Sequence, residues 1–136
     1  MCKTKILIID DDYELLTGLS IRLKATNYDV ILAGDAIFAL SNLRKTLPDL
    51  IILDIGLPGA DGFFIMEQIN ESEIFRKIPL MILSACDEFI NKPKALAMGA
   101  IAYIQKPFDN KELLAKIYEI LHPKGESKNI NGQLKL

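Results

Sequence analysis

Five polar side chains stand at the ends of short apolar runs, and their types could hold a cation and a phosphoryl group. They are Asp10, Asp11, Asp54, Ser84 and Lys106. Short apolar runs that alternate with helical patterns are typical of strands buried on both faces of a parallel sheet, and the carboxyl ends of such strands meet at one edge. In open α/β sheets, ligands bind at that edge. The sequence therefore predicts that three carboxylates, a hydroxyl and an amine converge on one site.

The three carboxylates of Asp10, Asp11 and Asp54 indicate a metal ion. Carboxylates gathered at one edge repel each other unless a cation or raised pKa values relieve the repulsion. A cation is the simpler remedy, and oxygen ligands without a His or Cys in the pattern favour Mg²⁺ over Zn²⁺. Asp12 is interpreted instead as the N-cap of the helix that follows, because this position favours aspartate.

Five strands and five helices are predicted in alternation. The strands are expected at 5–9, 28–33, 49–54, 79–84 and 101–105, and the helices at 12–26, 35–46, 61–71, 88–98 and 109–121. The helical segments carry one apolar stripe each, as at Leu16, Leu19 and Leu23, which can cover one face of a sheet. The predicted fold class is therefore α/β, with a five-stranded parallel sheet and helices on both faces.

Composition limits the protein classes to which the chain can belong. The 136 residues suffice for one domain, half of them are apolar, and the formal charge of −2 gives no overall field for nucleic acid or an anionic membrane. A domain at 1–121 and a polar tail or linker at 122–136 are predicted, since the last residues cannot build a core. The sequence contains no recognisable signal peptide or membrane span, and Cys2 and Cys86 lack metal-type spacing. A cytoplasmic location without a disulfide is expected.

Four segments together resemble the receiver domain of two-component response regulators. They are Ile6-Leu7-Ile8-Ile9-Asp10-Asp11-Asp12, the stretch 49–62 around Asp54, Ile82-Leu83-Ser84-Ala85, and Tyr103-Ile104-Gln105-Lys106-Pro107-Phe108. The match runs in order from about residue 3 to residue 121, and the spacings from Asp54 to Ser84 and Lys106 are those of the family. Each motif alone is weak, but four in register are highly specific. The resemblance implies a flavodoxin-like three-layer sandwich with strand order 2-1-3-4-5.

The resemblance implies that the site is a phosphorylation switch. Asp54 would accept a phosphoryl group from a phosphohistidine on a histidine kinase or a histidine phosphotransfer protein, and Lys106 and Ser84 would bind the phosphoryl oxygens. The implied Mg²⁺ ligands are Asp10, Asp11, Asp54 and the backbone carbonyl of Gly56. The chain would then be a phosphoacceptor that assists its own phosphorylation and dephosphorylation rather than an enzyme.

The family's response to phosphorylation implies two switch residues. Ser84 would move toward the phosphate, and the aromatic ring of Tyr103 would turn inward behind it. This movement would rearrange the surface formed by the fourth helix, fifth strand and fifth helix, which a downstream protein or output domain reads. From the residues alone, Tyr103 is equally well interpreted as a half-buried strand aromatic.

Three features depart from the usual pattern of the family. Ile101 and Ala102 stand where many transcriptional receivers carry acidic residues, so a dimer held by acidic and basic pairs is not expected. Pro93 predicts that the fourth helix begins late. Gly56 and Cys86 are small at positions where the family's side chains limit water access, which predicts a short-lived acyl phosphate.

The residues after 121 are too few and too polar for a DNA-binding helix-turn-helix, so binding of nucleic acid or membrane by this domain is not expected. Two interpretations stay open: a free-standing receiver, or part of a longer regulator or hybrid kinase. The kinase, the output and the oligomeric state are not predicted.

Three other functions are weighed against the switch. An aspartyl phosphohydrolase wants a second carboxylate two residues after its nucleophile, where this chain has Gly56. A flavodoxin-like flavin-binding module wants a hydroxyl- and glycine-rich loop after the first strand, where this chain has three aspartates. A receiver that does not accept phosphate and works as a constitutive scaffold is the remaining alternative, although every acceptor residue is present.

Overall fold

The computed structural model describes residues 3–57 and 62–123. Five strands are present: β1 (Lys5–Ile9), β2 (Asp29–Ala33), β3 (Leu50–Leu53), β4 (Leu80–Ser84) and β5 (Ala102–Gln105). Five α-helices alternate with them: α1 (Tyr13–Ala25), α2 (Ala36–Thr46), α3 (Gly62–Asn70), α4 (Glu88–Ala97) and α5 (Asn110–Leu121). A short 3-10 helix at Phe75–Lys77, which the sequence does not predict, precedes β4.

All five strands are parallel and lie in the order β2-β1-β3-β4-β5. Ile9, the last residue of β1, is opposite Ala33 in β2 and Leu53 in β3, so these three strands end at the same level. Ser84 at the end of β4 is opposite Gln105 at the end of β5. The predicted α/β fold and its strand order are confirmed, and the chemistry-bearing residues lie along one carboxyl-terminal edge.

Alternate residues of the central strands point into two separate apolar clusters. In β1, Ile6 and Ile8 pack with residues of α1 and α5, whereas Leu7 and Ile9 pack with residues of α2, α3 and α4. Each fully buried Leu or Ile contributes about 1.5–3 kcal/mol relative to an exposed one. The sheet is therefore the middle of three layers. Packing on both of its faces holds the strands, and so the residues at their ends, in fixed relative positions.

Two helices begin at an aspartate N-cap, one of which the sequence analysis predicts. Asp12 Oδ1 accepts a hydrogen bond from the Leu15 amide at 3.1 Å, which confirms Asp12 as the N-cap of α1. Asp109 caps α5 in the same way.

Within the described residues, no helix has both the length and the apolarity needed to cross a bilayer. Cys86 is a free thiol, whereas Cys2 and the predicted tail from residue 124 onward lie outside the described residues.

The helix α4 starts where the predicted range 88–98 places it, and the separate expectation from Pro93 that it begins late is wrong. The helix begins at Glu88 and contains Pro93 as its sixth residue, where proline removes one backbone donor. Two side-chain oxygens support the early start: Asp87 Oδ1 accepts from the Phe89 amide at 2.9 Å, and Gln105 Oε1 accepts from the Glu88 amide at 2.8 Å. These bonds satisfy two of the four free amides of the first turn and oppose the loss at Pro93.

Candidate functional site

Asp54 lies directly after β3, buried, and both oxygens of its carboxylate have partners. Oδ1 accepts hydrogen bonds from the Ser84 hydroxyl at 2.6 Å and the Gly56 amide at 2.8 Å. Oδ2 lies 3.3 Å from Nζ of Lys106. The end of β3 thus presents a carboxylate that is oriented by a hydroxyl, a backbone amide and an ammonium group.

Lys106 comes directly after β5 and bridges two carboxylates. Its Nζ lies 2.6 Å from Oδ2 of Asp10 as well as near Asp54, and its backbone amide donates to the Ser84 carbonyl at 2.8 Å. The Lys106–Pro107 peptide bond is cis. Burial on its own would lower the pKa of Lys106, but the hydrogen bond to Asp10 and the charges of Asp10 and Asp54 raise the pKa above its ordinary value. The amine is therefore held in its charged form.

Asp10, Asp11 and Asp54 form the predicted acidic cluster. Each offers a carboxylate oxygen that lies within 4.8 Å of the others. Asp10 is buried, and its Oδ1 accepts from the Asp12 amide at 3.0 Å, whereas Asp11 is exposed to solvent. Burial raises the pKa of Asp10, although the hydrogen bond from Lys106 opposes the rise. An oxygen-only donor set with one open side fits Mg²⁺, which keeps several waters when bound.

Gly56 and Gly62, one on each side of residues 58–61, lie close to Asp54 or to the residue after it. A Cβ atom added to Gly56 would lie 3.2 Å from Sγ of Cys86 and 3.3 Å from Oδ1 of Asp54, so a side chain there would be crowded. A Cβ atom added to Gly62 would clash with the backbone of Ile55. Glycine at position 62 therefore has a physical cause, since α3 begins against the backbone of the residue after Asp54.

Tyr103 is buried in β5, and its hydroxyl donates to the backbone carbonyl of Cys86 at 2.7 Å. The Cys86 amide in turn donates to Oγ of Ser84 at 3.2 Å. A continuous set of hydrogen bonds thus runs from Asp54 through Ser84 and Cys86 to Tyr103. Burial, followed by the negative charges nearby, raises the pKa of Tyr103 to about 12.

Sequence reasoning missed Gln105, which links β5 to α4 through the bond to the Glu88 amide. Its only signal is a polar side chain at the end of a strand.

The two apolar residues before Tyr103 differ in environment: Ile101 is half exposed, at 51%, whereas Ala102 is buried. Phe89 on α4 is 90% exposed. Of the two positions where many transcriptional receivers carry acidic residues, only Ile101 thus presents an apolar side chain to solvent.

The comparisons with known proteins agree with this geometry. The model of the response regulator receiver domain family matches residues 6–118. Among curated relatives, the alkaline phosphatase synthesis transcriptional regulatory protein PhoP of Bacillus subtilis is 36% identical over 96% of this chain and 57% of PhoP. The DNA-binding dual master transcriptional regulator RpaA of Synechocystis is 38% identical over 86% of this chain and 48% of RpaA. The chain spans about half the length of these relatives.

Solved structures give the same result. The non-phosphorylated HemR receiver domain of Leptospira biflexa superimposes with a TM-score of 0.82 at 31% identity, covering 88% of this chain and 95% of that domain. The chemotaxis response regulator CheY4 of Vibrio cholerae gives 0.80 at 26% identity, covering 88% and 99%. The range matched by the family model, residues 6–118, includes every strand end that forms the site. The chain belongs to the receiver domain family of two-component response regulators.

Proposed function

We propose that this domain is a phosphoacceptor switch and that Asp54 receives the phosphoryl group. One observation carries the proposal: the Asp54 carboxylate is held between the Ser84 hydroxyl and the Lys106 ammonium group, beside the carboxylates of Asp10 and Asp11. A hydroxyl and an ammonium group are the donors that a bound phosphoryl group requires. A purely structural aspartate would not require two further carboxylates at the same edge.

The phosphoryl group would come from a phosphohistidine on a histidine kinase or a histidine phosphotransfer protein. A carboxylate oxygen of Asp54 attacks the phosphorus as the bond from phosphorus to the imidazole nitrogen breaks, and the electron pair of that bond returns to the imidazole, which is protonated. The product is an acyl phosphate on Asp54. Such a transfer needs positioning and charge neutralisation more than further catalytic groups.

Asp10, Asp11, Asp54 and the backbone carbonyl of Gly56 would hold Mg²⁺. When bound, the ion would reduce the repulsion between the carboxylates and the incoming phosphoryl group. Lys106 would exchange its bond to Asp54 for a phosphoryl oxygen and would keep its bond to Asp10, at 2.6 Å in the resting structure. The domain would act on itself alone, as a phosphoacceptor and not as an enzyme.

The signal would pass to the surface of α4, β5 and α5. Phosphorylation would replace the bond from Ser84 to Asp54 with a bond from Ser84 to a phosphoryl oxygen. Ser84 is linked through Cys86 to Tyr103, so a shift of the serine changes the support of the ring. A phosphoryl group adds a negative charge of about −1.5 to −2 beside Ser84, and an added charge of this size can shift a surface between two conformations. A downstream protein or output domain would read the changed surface.

We retain the expectation that the domain does not itself bind nucleic acid. The relatives PhoP and RpaA are named as transcriptional regulators, but this chain matches only about half of each. Its formal charge of −2 gives it no general attraction to phosphate backbones. A constitutive scaffold that never accepts phosphate is the alternative, which the complete acceptor set makes less favoured.

The test is to label the protein with acetyl phosphate and Mg²⁺ and to measure the added mass. Wild type should gain one phosphoryl group, Asp54→Asn should gain none, and removal of Mg²⁺ with a chelator should suppress labelling. Asp29→Asn is the matched control, because Asp29 is an exposed aspartate at the opposite edge of the sheet. Labelling that persists in Asp54→Asn, or that is absent from wild type, would contradict the proposal.

A further inference from the structure

An open cavity of about 510 Å³, the α1–α5 cavity, lies at the amino-terminal edge of the sheet and is lined in part by Lys3, Tyr28, Tyr118 and His122. Its lining also includes Thr4, which precedes β1, whereas Asp10 of the acidic cluster follows β1. The path from Thr4 to Asp10 along a strand is about 20 Å. The cavity is therefore separate from the acceptor site, and its volume lies in the range of small-molecule sites.

Three aromatic side chains contribute to the lining of the α1–α5 cavity, and two of them are stacked. The ring centroids of Tyr118 and His122 are 4.1 Å apart, with an angle of 22° between the ring planes. Nδ1 of His122 donates to the Tyr118 carbonyl oxygen at 3.0 Å, which holds the imidazole against the phenol. Tyr118 is nevertheless 61% exposed. A stacked pair that is already ordered offers a flat surface to a further planar ring at little entropic cost.

The full charges that line the cavity are positive. Among the described residues, no aspartate or glutamate lines it, whereas Lys3 does, and His122 becomes positive when it is protonated. The Lys3 ammonium group forms no salt bridge with a carboxylate of the described residues. The chain as a whole has a formal charge of −2, so the attraction of an anion is confined to this place.

The partial negative charges at the ends of α1 and α5 oppose this attraction, but they are the weaker effect. A helix terminus contributes about 0.3–1 kcal/mol and acts within its last turn. The Leu23 carbonyl near the end of α1 already accepts from Thr26 Oγ1 at 2.9 Å and from the Tyr28 amide at 3.1 Å. The full charge of Lys3 also argues against a cationic ligand, which the aromatic rings alone would attract.

Two phenol hydroxyls add hydrogen-bond donors to the cavity. Within the part of the chain that the structure describes, the hydroxyls of Tyr28 and Tyr118 make no hydrogen bond to another residue. Burial, followed by the neighbouring Tyr118 phenol, raises the pKa of Tyr28 above its ordinary value. The Tyr28 hydroxyl is therefore a donor at neutral pH that is available to an oxygen atom of a ligand.

We propose that the α1–α5 cavity binds a small aromatic anion, in which a planar ring is joined to a phosphate or a carboxylate. The ring would stack on the Tyr118 and His122 pair, and the anionic group would bind the Lys3 ammonium group. The volume of about 510 Å³ suits a mononucleotide or a bicyclic aromatic acid. Such a site goes beyond the phosphoacceptor function, because it takes a different ligand at the other edge of the sheet.

The experiment measures the binding of two aromatic anions to the full chain by calorimetry and by amide resonance shifts, without Mg²⁺. The probes are adenosine monophosphate, which carries a phosphate, and indole-3-acetate, which carries a carboxylate. Adenosine and inorganic phosphate are the ligand controls, since the first lacks the anionic group and the second lacks the ring. The variants are Tyr118→Ala, Tyr118→Phe and Lys3→Gln, and thermal unfolding checks the folding of each.

Tyr13→Ala and Lys45→Gln are the matched control variants. Tyr13 is a 75% exposed tyrosine in the first turn of α1, at the carboxyl-terminal edge of the sheet, and Lys45 is an exposed lysine in the last turn of α2. Neither residue lines the α1–α5 cavity. These variants test whether the loss of any exposed phenol or ammonium group would reduce binding.

We expect at least one of the two aromatic anions to bind wild type about tenfold more tightly than either ligand control. Tyr118→Ala should weaken this binding about tenfold through the loss of a stacking ring, whereas Tyr118→Phe should retain most of it. Lys3→Gln should weaken binding and reduce its dependence on salt. Both control variants should bind like wild type. Tight binding of adenosine monophosphate alone would assign a phosphate ligand, and that of indole-3-acetate alone a carboxylate.

Three results would overturn the inference. One is that neither aromatic anion binds more tightly than adenosine or phosphate, and another is that Tyr118→Ala binds like wild type. The third is a set of amide shifts confined to the surroundings of Asp10 and Asp54, which would place the anion at the acceptor site.

Labelling by acetyl phosphate separates this inference from the proposed function, and it should be the same in Tyr118→Ala and wild type. Wild type that binds an aromatic anion in the cavity but is not labelled would contradict the proposed function and leave the cavity site standing. Wild type that is labelled but binds neither aromatic anion would leave the acceptor role standing and overturn the cavity site.

Discussion

The ammonium nitrogen of Lys106 lies 2.6 Å from Oδ2 of Asp10, although the two residues are 96 positions apart in the sequence. β1 and β5, the strands that they follow, are separated in the sheet by β3 and β4. The ion pair therefore spans the site and places a positive charge beside carboxylates that would otherwise repel each other. The Lys106 ammonium group and a bound metal ion would each reduce the electrostatic repulsion between these carboxylates.

Replacement of Lys106 with methionine should make the fold depend more strongly on Mg²⁺. Without the metal, Lys106→Met should lower the free energy of unfolding by about 3 kcal/mol, because a buried carboxylate loses its partner. Saturating Mg²⁺ should raise the Tm of this variant more than that of wild type. Chemical and thermal unfolding with and without Mg²⁺ measure both effects, with Lys116→Met as the control, since Lys116 pairs with Glu119 on the surface. An equal Mg²⁺ gain in wild type and Lys106→Met would contradict this interpretation.

The space beside Gly56 should set the lifetime of the acyl phosphate. Gly56→Asn brings a side chain against Cys86 Sγ and Asp54 Oδ1, which are 3.2 and 3.3 Å from the new Cβ position. The added side chain should limit water access and lengthen the half-life several-fold, and Gly56→Asn combined with Cys86→Ala should partly relieve the crowding. Decay of the radiolabelled acyl phosphate measures the half-life. A half-life unchanged by Gly56→Asn would refute the short-lived phosphate predicted from the sequence.

The fold and most of the site could be predicted because their signals are local. The apolar runs before Asp10 and Asp54 are buried on both faces in the structure, so their ends mark the edge of the sheet without ambiguity. Asp12 is recognisable as a cap because its acceptor role needs only the next three residues. A parallel sheet then brings the strand ends together without further information.

The predicted range 88–98 places the start of α4 correctly, but the expectation of a late start from Pro93 fails because part of the support for the first turn lies elsewhere in the chain. Pro93 alone argues for a late start, but the Gln105 side chain in β5 accepts from the first turn of α4 and overrides the local preference. The position of Tyr103 is a second example. Its hydroxyl donates to the Cys86 carbonyl, which the sequence does not identify as an acceptor. The contacts that β5 makes with the loop before α4 and with the first turn of α4 could therefore not be predicted from the sequence.

Tyr103 should be the last phenol to ionise when the pH is raised. Its pKa is about 12 in the folded state, against 10.0 for an ordinary tyrosine. Because the folded value is the higher one, the stability from this group is fully present below pH 10 and is lost as the pH rises through about 12. Spectrophotometric titration should show one late phenol in wild type, and Tyr103→Phe should remove it. Loss of an earlier phenol instead would show that the hydroxyl of Tyr103 is not held by the Cys86 carbonyl.

Pro93 should reduce the stability of α4, and its removal should be favourable. Pro93→Ala restores a backbone amide that can donate to the Phe89 carbonyl, and it should raise the free energy of unfolding by about 1 to 2 kcal/mol after the greater freedom of the unfolded chain is allowed for. Urea unfolding measures the gain, and hydrogen exchange should show slower exchange of amides in α4. Lys92→Ala is the control, because its exposed pair with Glu88, at 3.5 Å, contributes little. A Pro93→Ala protein no more stable than wild type would mean that the bonds from Asp87 and Gln105 already compensate fully for the missing donor.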